Sequence, residues 1–171
     1  MTAEAFPPPA LRPFLPQDTP LLAQIFRDSV AELTSEDYDE AQQAAWMASA
    51  DDELGFAQRL AGQLTLVATI AGSPVGFISV KGQDHIDMLY VHPSVARSGI
   101  ATLLCDAAER LSRGRGATQL RVDASDTARP FFEKRGYFAL HRQTAVCGDE
   151  WLGHTHMEKR FAPQDSRGLP Q

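Results

Sequence analysis

Between Leu89 and Leu104 the chain reads LYVHPSVARSGIATLL, and few architectures accept such a stretch. An apolar strand runs into Val91-His92-Pro93, a short loop follows, and Gly99-Ile100-Ala101 opens an amphipathic helix. Ile100, Leu103, Leu104, Ala107, Ala108 and Leu111 recur at helical spacing, with Thr102, Asp106, Glu109 and Arg113 on the opposite face. Where a loop wraps onto a helix start, the first N–H groups have no intrahelical partner and the helix dipole favours negative charge. Gly99 carries no Cβ to hold a bulky anion away. The segment therefore predicts a diphosphate-holding turn at the end of a strand.

The surrounding pattern supplies the rest of a sheet. Leu11 to Leu15 reads as a short strand, and Asp18 or Thr19 as the cap of a helix beginning at Pro20. Further helices are expected from about Asp39 to Ala48 and Asp52 to Ala61. Leu64 to Ile70 and Val75 to Val80 read as strands joined by the turn Ala71-Gly72-Ser73-Pro74, with a third strand from His85 to Val91. The helix after Gly99 should end at Gly114 or Gly116. A strand at Thr118 to Val122, a short helix at Thr127 to Arg135 ended by Gly136, and a hairpin of Tyr137 to Val146 with Trp151 to Lys159 complete the order. That order predicts an α/β or α+β fold, one mixed sheet flanked by helices. Residues 10–161 are expected to form a single domain, with residues 1–9 and 162–171 as flexible tails because of their proline content and polarity.

Composition narrows the function. A net charge of −6 over 171 residues disfavours a general nucleic-acid binder, which needs a basic face to displace counterions. No apolar run reaches membrane-spanning length, and MTAEAFPPPA lacks the basic start and apolar core of a signal peptide. Cys105 and Cys147 form no CxxC pair, so a reducing cytoplasm is the expected setting. His154-x-His156 places two imidazoles on one strand face, but no third ligand stands nearby, and no metal is expected. Neither GxxxxGK[ST] nor GxGxxG occurs, which argues against a nucleotide-binding domain.

The element order, together with Val91-x-Pro93 leading to Gly99-x-Ala101, resembles the GNAT superfamily of N-acetyltransferases over roughly residues 10–160. Gly76-Phe77-Ile78 is similar to the family's hairpin strand, and Ala128 to Tyr137 to its short helix before the sixth strand. Asp87-Met88-Leu89-Tyr90-Val91-His92-Pro93 and Phe131-Phe132-Glu133-Lys134-Arg135-Gly136 most resemble a small bacterial YafP-like branch. The resemblance implies a GNAT-like, mostly antiparallel sheet and acetyl-CoA as cosubstrate. It implies contacts to that cosubstrate from Leu89, Tyr90, Val91, Arg97, Ser98, Gly99, Ile100, Ala101, Ser125 and Phe132. The acceptor would be an amine of a small molecule or a protein, and two copies could pair through the last strands.

Two positions depart from the family pattern. The signature's Arg or Gln falls on Ala96, which leaves Arg97 as the nearest side chain able to meet the diphosphate. Phe132 stands where many members place a proton-donating Tyr, so Tyr137 is the nearest hydroxyl to replace it, its other reading being a half-buried strand residue. For the base, strict alternation puts His85, Asp87, Leu89 and Val91 on one face of their strand. Asp87, charged within an apolar strand, would have a raised pKa if buried, so Asp87 or His85 is expected to take the amine proton, the other reading of Asp87 being a bond to a neighbouring backbone group or an Arg. The competing function is an acyl-CoA-binding regulatory module with little turnover, supported by Phe132.

Overall fold

The structure is a computed structural model that describes residues 7–163. The outer parts of both predicted tails lie outside this range. Seven strands form one sheet in the order β1-β2-β3-β4-β5-β7-β6. They are β1 (Ala10–Pro13), β2 (Leu64–Ile70), β3 (Ser73–Lys81), β4 (His85–Val91), β5 (Gln119–Ser125), β6 (Phe138–Cys147) and β7 (Glu150–Arg160). Only β4 and β5 run parallel; every other neighbouring pair is antiparallel. The mixed, mostly antiparallel sheet flanked by helices is the predicted class.

Three helices, α1 (Thr19–Leu33), α2 (Glu40–Ala48) and α3 (Glu53–Ala61), lie on one side of the sheet. The local sequence starts each of them. Asp39 accepts a bond from Gln42 N at 2.8 Å while Asp39 N donates to Gln42 Oε1 at 3.0 Å, a capping box, and Asp52 accepts from Gly55 N at 3.1 Å. Asp18 does not cap α1 as expected. Its carboxylate is taken by both terminal nitrogens of Arg12, at 2.7 Å each, and by Leu15 N. On this face Leu22, Ile25, Phe26, Val30, Phe56 and Leu60 bury against Val67, Phe77 and Met88.

The other face carries α4 (Ile100–Gly114) and α5 (Arg129–Lys134). Ile100, Leu104, Cys105 and Ala108 of α4 pack on Ile78, Val80, Leu120, Val122 and Met157. A fully buried Leu or Ile contributes about 1.5–3 kcal/mol, so this stripe anchors the helix firmly. Gly76 permits the approach, since a Cβ there would stand 3.1 Å from both Ile100 Cγ2 and Tyr90 O. The start of α4 is thereby fixed over the end of β4.

Strand limits differ from expectation by a few residues at several ends, and two of the differences bear on the sheet's geometry. The hairpin between β2 and β3 closes in two residues, Ala71 and Gly72, both at positive φ, so β3 begins at Ser73. β5 extends to Ser125 because β7 pairs with it as far as Ser125↔His154, although Asp123-Ala124-Ser125 carries no strand-like apolar pattern.

Candidate active site

β4 and β5 pair only at His85↔Arg121 and Ile86↔Val122. Beyond these pairs the two strands part, and among the described residues no strand fills the opening. His92 N donates to Val75 O at 2.8 Å. Antiparallel alternation then directs the backbone groups of Tyr90 and Met88 to β3 and those of Leu89 and Val91 into the opening.

A bulge sets which side chains face which way. Ser79 opposes Met88 but Val80 opposes Ile86, so Asp87 is an extra residue in β4. Strict alternation therefore fails. Ile86, Leu89 and Val91 join the α4 side, while Met88 and Tyr90 join the α1–α3 side. Asp87 is turned to α3, not to the face of Leu89 and Val91 as expected.

At the outer end of the opening, Pro93–Val95 makes one 3-10 turn and Gly99, at φ 91°, precedes α4. No atom lies within 4 Å of a Cβ built on Gly99, and no side chain caps the helix. Among the described residues, the N–H groups of Arg97, Gly99, Ile100, Ala101 and Thr102 have no protein acceptor. Ser98 is turned inward, its N and Oγ both donating to Val95 O. Arg97, at φ 60°, is exposed and makes no side-chain bond among the described residues. This concave set of free donors at a helix start fits a diphosphate.

The predicted proton carriers fare differently. Asp87 accepts Arg59 Nε at 2.7 Å, Arg59 Nη2 at 2.9 Å and Gln63 Nε2 at 2.8 Å. Burial alone would raise its pKa, but the Arg59 and Gln63 bonds outweigh burial and hold it below the usual carboxylate range. The expectation of a raised pKa is thus corrected, and the carboxylate instead bonds an Arg, the other reading of Asp87. Tyr137 is corrected too. It is 3% exposed, edge-on to Phe132, and donates to Glu109 Oε1 at 3.2 Å. Burial, then the Glu109 charge, pushes its hydroxyl far up. Glu109 lies more than two turns along α4 from the open loop, so Tyr137 does not reach the opening. Phe132 is buried in the same core, and Ser125 Oγ accepts Ala128 N at 3.1 Å to turn the chain into α5. His85 stays at the foot of the opening, 29% exposed.

Tyr38, which sequence reading missed, completes the α1–α3 side together with Trp46 and Tyr90. Tyr38 donates to Gly153 O at 2.6 Å and accepts Asp126 N at 2.9 Å, tying the α1–α2 loop to β7 and to the end of β5. Trp46 Nε1 donates to Tyr90 Oη at 3.2 Å, and Trp46 stands edge-on to Tyr38. Burial pushes the Tyr90 hydroxyl up to about 12 despite the Trp46 bond. Cys147 Sγ donates to Ala45 O, which docks α2 on the final hairpin. Trp151 is 62% exposed and walls no core. Cys105 is sealed under α4, where burial pushes its thiol up to about 12, so it is no acyl carrier. No cluster suited to a metal occurs among the described residues.

Residues 34–161 match the acetyltransferase (GNAT) domain family. The chain belongs to this family of N-acetyltransferases. It is 35% identical over 154 residues to the uncharacterized N-acetyltransferase YafP of Escherichia coli K12, covering 90% of this chain and 96% of that one. A GCN5-related N-acetyltransferase from Rhodopseudomonas palustris is 53% identical, with a TM-score of 0.89 over 94% of this chain and all (100%) of its own. The PaiA N-acetyltransferase of Thermoplasma acidophilum, solved with coenzyme A, shares the fold at 18% identity and a TM-score of 0.76, over 90% and 99% of the two chains.

Proposed function

We propose that this chain transfers the acetyl group of acetyl-CoA directly to a primary amine of a small molecule or a protein. The parting of β4 and β5, leading out to the unpaired N–H groups of Arg97 to Ala101, carries this reading. Acetyl-CoA supplies the activated thioester. The loop N–H groups hold its diphosphate, and the inward-facing backbone groups of Leu89 and Val91 align the extended arm beside β4. With Ala96 in place of the usual Arg or Gln, backbone donors carry the anion, and Arg97 is the adjacent charge.

An amine with pKa near ~10.4 is overwhelmingly protonated at neutral pH, so a base must expose its lone pair. With Asp87 neutralised by Arg59, His85 is the group left for that task. Backbone N–H groups of β4 facing the opening stabilise the oxyanion that forms on attack. A thiolate leaving group with pKa near ~8.5 departs without a strong acid, so the loss of a hydroxyl at Phe132 is tolerable.

Phe132 and the sequestered Tyr137 favour a second reading, an acyl-CoA-binding regulatory module with little turnover. Thermal shift with acetyl-CoA, followed by thiol release with a panel of amines, separates the two. Binding with transfer supports the enzyme. Binding without transfer to any amine supports the module.

A cytoplasmic setting fits the free thiols of Cys105 and Cys147. Self-association through β6 belongs to the same proposal. β6 is the sheet's edge, and Phe138, Leu140 and Val146 on it are exposed, as is Trp151 on its partner strand. Light scattering of the purified chain tests it.

A further inference from the structure

Asp123 stands on β5 one residue past the last β4–β5 pair, Ile86↔Val122. Its Oδ1 lies 2.9 Å from His156 Nδ1 and its Oδ2 lies 3.5 Å from His85 Nε2. The register of β5 and β7 sets Asp123 directly opposite His156. His156 stacks on His141 at 5.3 Å between ring centres, and its Nε2 is 3.6 Å from Glu158 Oε1. One carboxylate thus joins β4, β5 and β7 where the sheet opens, on the face away from α4. A paired surface histidine would usually have an acid to itself. Here the acid is shared, and its outer partner is clamped by a ring and a second carboxylate. His85 is the loose end, with no other polar contact among the described residues.

We propose that Asp123, held by His156, is a positioning residue that presents His85 to the acceptor ammonium at the foot of the opening. This rests on the acetyl-transfer reading. With Nε2 turned toward Asp123 at 3.5 Å, His85 is left Nδ1 to meet the acceptor. One proton passes from the ammonium to His85, directly or through water. The amine nitrogen then bonds to the acetyl carbon, the carbon–sulfur bond breaks, and the remaining excess N–H proton leaves with the sulfur. His85 returns its proton to solvent.

The other charges around the site are already engaged or lie further out. Asp87 is held by Arg59 of α3 and by Gln63 of the turn after it, and Arg121 pairs with Asp84 at 3.1 Å. Lys81 is the β3 partner of His85, and Glu158 and His141 face His156.

The test compares wild type with Asp123→Asn and Asp123→Glu. Acetyl-CoA affinity is measured by calorimetry. kcat/KM against pH is measured by thiol release, with the best-used amine from a panel of alkyl mono- and polyamines. Asp123→Asn is expected to lower kcat/KM by about 100-fold. It should also change the pH profile of kcat/KM, because His85 has lost the carboxylate beside it. Acetyl-CoA affinity should hold, and Asp123→Glu should recover part of the rate. A loss uniform across pH, with the limb in place, overturns the proposal and leaves acetyl transfer standing. If no amine is acetylated, imidazole NMR decides. Acetyl-CoA is expected to shift the His85 and His156 signals together in wild type, and signals that stay put overturn the proposal. A chain that does not bind acetyl-CoA at all overturns both readings.

Discussion

Arg59 meets Asp87 through two near-parallel bonds, Nε to Oδ2 at 2.7 Å and Nη2 to Oδ1 at 2.9 Å, across 28 residues of sequence. The pair fastens the end of α3 to the bulge of β4, beside the opening. Because the folded Asp87 carboxyl titrates below an unfolded one, near ~3.9, its contribution to stability is complete above that value. It disappears as pH falls through the lower folded value. Arg59 is 44% exposed, so solvent screening limits the pair to about 1 kcal/mol. Asp87→Asn is therefore expected to lower the midpoint of urea unfolding at pH 7 and to converge with wild type toward pH 2. In kinetics the acidic limb of kcat/KM should persist in this variant, and its disappearance would reinstate Asp87 as the base.

Gly99→Glu places a negative charge on the loop whose free N–H groups hold the diphosphate on the proposed reading. Nothing within 4 Å opposes the new Cβ, so the fold should survive, with about 1 kcal/mol lost to the φ of 91°. Calorimetry is expected to show acetyl-CoA affinity reduced at least tenfold. Gly99→Ala, which shares the backbone strain without the charge, should retain most of the affinity. Equal affinity in the Glu variant would contradict the site.

Tyr38→Phe removes one hydroxyl that serves both Gly153 O and Asp126 N. Both partners lose their bond at a residue only 5% exposed, a cost of about 1–3 kcal/mol. Urea unfolding measures this. Amide exchange should accelerate at Asp126 and in the final hairpin more than in α4.

Glu109 gathers Arg135, Lys159 and Tyr137 under α4, with Lys159 Nζ at 2.8 Å. Replacing it by Ala leaves the nearly buried Arg135 guanidinium with Asp106 alone and the Tyr137 hydroxyl without its acceptor, and a loss of about 2 kcal/mol is expected by chemical denaturation. A loss under 1 kcal/mol would mean that water reaches the cluster.

Thiol reactivity should be ordered. In the native protein iodoacetamide is expected to modify Cys147, which is half-buried, well before Cys105, whose thiol burial pushes up to about 12. Peptide mass spectrometry at intervals reads the order, and prior labelling of Cys105 would show that α4 lifts from the sheet.

The helix stripe from Ile100 to Leu111 and the glycine at 99 were legible because both are local. Periodicity and one residue without a Cβ suffice to place a helix and an anion loop. The orientation of Asp87 was not, because it depends on Val80 opposing Ile86 while Ser79 opposes Met88. One unopposed residue turns the next side chain over, and pairing partners lie elsewhere in the chain. Asp123 was hidden for a related reason. Its stretch of β5 has no apolar alternation and is strand only because β7 lies beside it. Tyr137 misled because its neighbour Phe132 matches a reactive position in the family, whereas the packing of α5 turns both rings into the core.

Among the described residues only two strand pairs, His85↔Arg121 and Ile86↔Val122, join the halves of this seven-stranded sheet. The molecule is in effect two half-sheets meeting at a short seam, and the space beyond the seam is shaped for something that runs alongside a strand and bonds to its backbone. On the proposed reading the cosubstrate becomes a removable structural member. Loading it should slow amide exchange at Leu89 and Val91 and stiffen one half against the other, and product release should loosen them again.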